Sequence, residues 1–156
     1  KKTRKSKGAY YETIAADMDK CHGDCDQAGC QTIAACARAL NRTIDFAHVN
    51  RLTRHQQVMF ALADMMAYVE VGHAMGLRAA SQADDITLAT TRVFASTCAR
   101  LVAEKSRLIA WGSQGIDTAA VDDFVQSLDL TRLEGSVRGV IDDMDRIADH
   151  IFERAS

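Results

Sequence analysis

Residues 55–80 read HQQVMFALADMMAYVEVGHAMGLRAA. From Val58 to Ala80 the polar side chains are Asp64, Glu70, His73, Arg78 and the amphipathic Tyr68. Val58, Leu62, Met65, Val69, Gly72, Gly76 and Ala79 follow one another at spacings of four and three, the repeat of one helix face. Met59, Ala61, Met66, Val71 and Met75 make the flanking positions apolar as well. A surface helix keeps a wet face, and this segment has little of one. It therefore has to be covered by its own bundle and by a second surface. Its ionisable residues, two of them acidic, argue against a membrane span.

Working outward, the rest of the chain supports the same architecture. Proline is absent, which suits long uninterrupted helices. Few β-branched or aromatic runs would suit strands. A length of 156 residues makes one domain with a real core. Hydrophobic residues at 47% and charged residues at 26% are ordinary for a globular chain, and a formal charge of −2 gives no general attraction to nucleic acid or anionic membrane. Five cysteines is an odd count, and none is needed to staple a domain of this size. A reducing, cytoplasmic compartment is the simpler reading.

Residues 1–8 read as a basic tail or linker, and residues 9–156 as a single bundle domain. The periodicity predicts a first helix over Ala9–Asp19, a turn over Lys20–Gly29 and a second helix over Cys30–Val49. The apolar helix follows, then a polar turn over Ser81–Asp85. A fourth helix covers Ile86–Trp111, Gly112 to Gly115 break it, and a short helix covers Asp117–Ser127. A last helix over Leu133–Arg154 is expected to bury Val137, Val140, Ile141, Met144, Ile147, Ala148 and Ile151 on one face. Long helices joined by short turns pack as antiparallel neighbours. The expected fold is all-α, an up-and-down antiparallel bundle of about five to six helices.

Two clusters could carry chemistry. Glu70 and His73 form a Glu-x-x-His pair on a bundle helix. A ferritin-like di-iron site needs two such pairs and a glutamate from each of two other helices. Glu12, Glu104 and Glu134 have no histidine three residues on, so a polar strip facing a charged neighbour is the better reading of Glu70 and His73. Cys21, His22, Asp24, Cys25 and Cys30 gather possible metal ligands. The Cys21-x3-Cys25 spacing fits a zinc site only loosely, and Cys30 and Cys36 read equally well as small buried hydrophobes. No phosphate loop and no nucleophile–base order stands out.

The segment from Gln57 to Ala80, with Leu62-Ala63-Asp64 inside it and Arg78-Ala79-Ala80 at its end, resembles a family segment. It is similar to the extra helical domain that follows the catalytic core in larger acyl-CoA dehydrogenases, including the very-long-chain type. The helices over Ala28–Val49, Ile86–Trp111 and Leu133–Arg154 fall in the expected order, so the resemblance covers most of residues 9–154. It implies a parent enzyme that uses FAD to remove hydrogens from the α and β carbons of an acyl-CoA and passes electrons to an electron-transferring flavoprotein. No flavin stretch and no match to the family's catalytic glutamate is in this sequence, so no catalytic or cofactor-binding residue is carried over. A start at Lys1 fits tag removal or processing, but the resemblance makes a C-terminal fragment of a longer chain the expected explanation. The family domain packs on the catalytic core, helps hold subunits together as a homo-oligomer, and in some members assists membrane association. Asp64, Gly72, Gly76 and Arg78 are the structural or interface positions this suggests, with Asp64 expected as a paired acid in a buried helix. The alternative is a free-standing helical module that binds a partner or a metal.

Overall fold

A computed structural model describes residues 9–155, so the expected tail over residues 1–8 lies outside the described part. Among the described residues the chain is all helix: α1 (Ala9–Asp24), α2 (Cys30–Val49), α3 (Gln56–Gln82), α4 (Asp85–Trp111), α5 (Thr118–Ser127), α6 (Leu130–Gly135) and α7 (Val140–Ala155). Short 3-10 turns, Asp26–Ala28 and Leu52–Arg54, stand between the first three. The expected all-α bundle is what forms, with six helices of ten residues or more and the six-residue α6.

Cross-contacts give the directions. Gly76 near the end of α3 faces Met18 near the end of α1 and Cys30 at the start of α2. Lower on the same helix Gly72 faces Ile33. Helix α3 therefore runs antiparallel to α2. Thr43 and Ser106 share a buried hydroxyl hydrogen bond of 2.8 Å, while Gly29 sits against Arg92 and Ala95, so α2 and α4 run side by side in the same sense. Thr43 spends its one proton on the Ala39 carbonyl at 2.8 Å, so Ser106 is the donor in that pair. Tyr68 stacks on Phe94 with ring centroids 5.6 Å apart, joining α3 to α4, and Phe46 stacks on Phe124 at 4.2 Å, closing α5 over the foot of α2.

All seven positions of the α3 stripe, Val58 through Ala79, are buried. The core they join includes Ile14, Met18, Ile33, Leu40, Ile44, Met65 and Val69, each no more than 2% exposed. Helix α4 begins on Asp84, whose carboxylate accepts from the Thr87 backbone N–H at 2.9 Å, an N-cap that holds its acid below the usual carboxylate range. Helix α3 ends on Ala83 in the left-handed conformation, φ 51°, with its N–H on the Ala79 carbonyl. An alanine there carries a steric cost that glycine does not. Ala83→Gly is expected to raise stability by roughly 1 kcal/mol, read as a higher urea midpoint at unchanged slope.

Two boundaries differ from the periodicity reading. Helix α1 continues through Cys21 to Asp24, because Met18 and Cys21 are buried under α3 and packing carries the helix past the polar Lys20 and Gly23. The expected last helix is broken. Residues 133–135 end α6, and Gly139 at φ 78° turns the chain before α7 begins. Val140 and Asp143 then face inward, while Val137, Ile141, Met144 and Ile151, expected in the core, are 45–73% exposed.

Candidate functional site

The chemistry-bearing residues lie on several surfaces of the bundle. The first is the seam between α1 and α3. Glu70 accepts a hydrogen bond from the Tyr11 hydroxyl at 3.3 Å. Tyr11 is buried, and burial followed by the Glu70 charge pushes its hydroxyl well above the usual tyrosine range. His73 Nε2 stands 3.5 Å from the Asp17 carboxylate without hydrogen-bond geometry. Glu12 instead accepts from Asn41 at 2.9 Å, and Glu134 pairs with Arg107. The carboxylates a di-iron site would need are thus committed on separate faces.

The second surface holds the cysteines. Cys21 and Cys30 bring their sulfurs to 2.6 Å. Burial first, and the Cys21 thiol second, push the Cys30 thiol far above its usual range. Cys25 is half-buried, and His22 keeps a buried Nδ1 with no hydrogen-bond partner. Cys36 pairs with Cys98 deep in the core, and that pairing together with burial raises the Cys36 thiol strongly. Among the described residues no group of three or more His, Cys, Asp or Glu is placed to hold a metal ion, so Cys21, His22, Cys25 and Cys30 meet only as a thiol pair.

The remaining residues lie on the outer sides of α3 and of α7. Asp64 is exposed rather than buried, 3.9 Å from Lys105, because its position on α3 falls on the flank of the buried stripe, at the edge of the seam with α4. An exposed pair of this kind contributes little. Arg78 is also exposed and donates to Gln82 at 2.9 Å. Around them Met59, Phe60, Val71 and Leu77 are 46–54% exposed. Helix α3 is long and apolar enough to cross a membrane by length and composition, and it is the one such helix among the described residues. In the fold its stripe packs on α1, α2 and α4, and its ionisable groups find partners on those neighbours or on α3 itself.

Helix α7 is turned the same way. Asp143 is the only buried carboxylate among the described residues. It accepts two hydrogen bonds from Arg92, at 2.6 and 2.7 Å, and Arg92 also donates to the Gln27 carbonyl at 2.8 Å. The doubly bonded carboxylate holds the guanidinium more firmly charged. This anchor points the acid inward and leaves Ile141, Met144 and Ile151 facing outward. The hydrophobic period could predict an amphipathic α7. It could not predict which face would be inside, because that depends on Arg92, about fifty residues earlier in the sequence.

A cleft of about 680 Å³ lies where the start of α3 meets the end of α4, between His55, Gln57, Leu108 and Ser113. Leu108 in its wall is exposed, as is Trp111, the residue before Gly112 of the lining.

The fold and its surfaces define a helical-bundle domain with two outward apolar faces. The sequence profile of the acyl-CoA dehydrogenase C-terminal domain matches residues 27–131, more than half of the chain. The chain belongs to that family. Comparison with curated proteins and with solved structures gives no significant match.

Proposed function

We propose that this chain is the C-terminal accessory helical domain of a large, very-long-chain-like, FAD-dependent acyl-CoA dehydrogenase. It packs on the catalytic core and supports association of subunits. The family match supports the parent enzyme class. The observation that carries the packing role is the outward apolar side of α3, with Phe60 at 54% and Val71 at 48% exposure, eleven residues apart and so on one helix face. Contiguous apolar surface of this kind marks an interface. The catalytic base, the flavin and the contact with an electron-transferring flavoprotein belong on this reading to the core. The domain's part is structural. The parent would work in the cytoplasm.

Purified alone, the chain is expected to be colourless at flavin wavelengths, to leave acyl-CoA unchanged, and to self-associate through its uncovered faces. Light scattering should give a mass above the monomer. Phe60→Glu with Val71→Glu should return it to monomer with its helical circular dichroism intact. A yellow protein that turns over acyl-CoA, or a wild-type chain that is strictly monomeric, would sink the reading.

A further inference from the structure

We infer that Cys21 and Cys30 form a reversible intramolecular disulfide, a modification site that ties the end of α1 to the start of α2. Their sulfurs stand 2.6 Å apart. A disulfide bond is about 2.05 Å long. Non-bonded carbons sit most favourably about 3.5–4.0 Å apart, and sulfur is larger. The pair is therefore held near bonding distance by the fold. The two residues sit at either end of the tight connection between α1 and α2, whose turn is closed by the Cys25 N–H on the Cys21 carbonyl at 2.9 Å. From the third side the Gly76 carbonyl lies 3.5 Å from Cys21 Sγ, where a larger residue would crowd both α1 and Cys30. The structure thus holds the pair from three helices at once.

Access is one-sided. Cys30 is fully buried, while Cys21 lines an open cleft of about 510 Å³ with Asp17, Lys20 and Leu77. Cys21, 5% exposed against 0% for Cys30, is the member of the pair nearer solvent and the one of the two that a small oxidant reaches first. The oxidant class is a small-molecule disulfide such as oxidised glutathione. The Cys21 thiolate attacks one sulfur, forms a mixed disulfide and releases one small thiol. Cys30 then attacks the Cys21 sulfur, loses its proton, closes the protein disulfide and releases the second small thiol. Two electrons pass from the protein thiols to the small disulfide, and the two protons leave on the two released thiols. A small dithiol reverses the sequence. The Cys36–Cys98 pair lies wholly in the core, and its access is blocked from every side by buried residues.

The test is incubation of the whole folded chain with oxidised glutathione, acid quench, denaturation, alkylation of remaining thiols and peptide mapping by mass spectrometry. The expected result is a peptide pair joined through Cys21 and Cys30, with the other cysteines alkylated and the link lost on dithiothreitol treatment. Cys25→Ser should leave the link in place, and Cys21→Ser should abolish it while the helical spectrum persists. Alkylation of all five cysteines, a link through Cys25 instead, or a link formed only in urea would each overturn the assignment.

Discussion

Gly76→Leu is expected to destabilise the bundle by about 1–3 kcal/mol, and Gly72→Leu by at least as much. A Cβ built on Gly76 would stand 2.9 Å from Met18 Sδ and 3.2 Å from Cys30 Sγ. One on Gly72 would stand 2.5 Å from Ile33 Cδ1. Two effects oppose each other. Leucine is a better helix former than glycine by nearly 1 kcal/mol. The extra carbons have no space to enter, because the facing residues Met18, Cys30 and Ile33 are themselves fully buried. Overpacking wins for leucine. For Gly76→Ala the two nearly cancel, because the thioether of Met18 can bend aside and one methyl is a small load. Ile33 is branched and stiff, so Gly72→Ala should already lose stability. Thermal melts order the set. In a chain of this size each kcal/mol moves Tm by about 2–4 °C. Unchanged melts for both leucine variants would mean that α3 does not meet its neighbours along this stripe.

Arg92→Met is expected to cost about 1–3 kcal/mol, since it removes both hydrogen bonds from the Asp143 carboxylate, whose side chain is only 11% exposed, and leaves it only the longer Arg146 ion pair at 3.6 Å. The full penalty of a buried unpaired charge is discounted because Arg146 stays within 3.6 Å, and because Arg92 itself is 27% exposed and water can follow. Helix α7 has few other inward anchors, with Val140 its one buried apolar residue among the described residues. The loss should appear as detachment of α7, with proteolytic cutting near residues 136–139 while the remaining bundle stays helical. Pairing Arg92→Met with Asp143→Leu should recover much of the loss, because two apolar partners need no charge compensation. A double-mutant cycle in urea gives the coupling. Strict additivity of the two single losses would show that the pair does not hold α7.

The periodicity of residues 58–79 by itself determined the helix and its buried stripe. All seven stripe positions are in the core and the opposite side carries exposed apolar residues. The all-α class followed from the same 3.6-residue period, repeated along a chain without proline. Local signals of this kind are readable because each residue's helix face depends only on its neighbours three and four positions away. Tertiary structure decided the rest. Whether α1 stopped at Asp19 or ran to Asp24 turned on the burial of Cys21 beneath Gly76, fifty-five residues later. The inward face of α7 turned on the Arg92–Asp143 pair, which makes a carboxylate a better anchor than the isoleucines beside it. The exposure of Asp64 turned on which side of α3 its neighbours covered. The meeting of Cys21 with Cys30 turned on a hairpin held closed by a third helix. Each of these depends on distances between segments remote in the chain, and one sequence carries no measure of such distances.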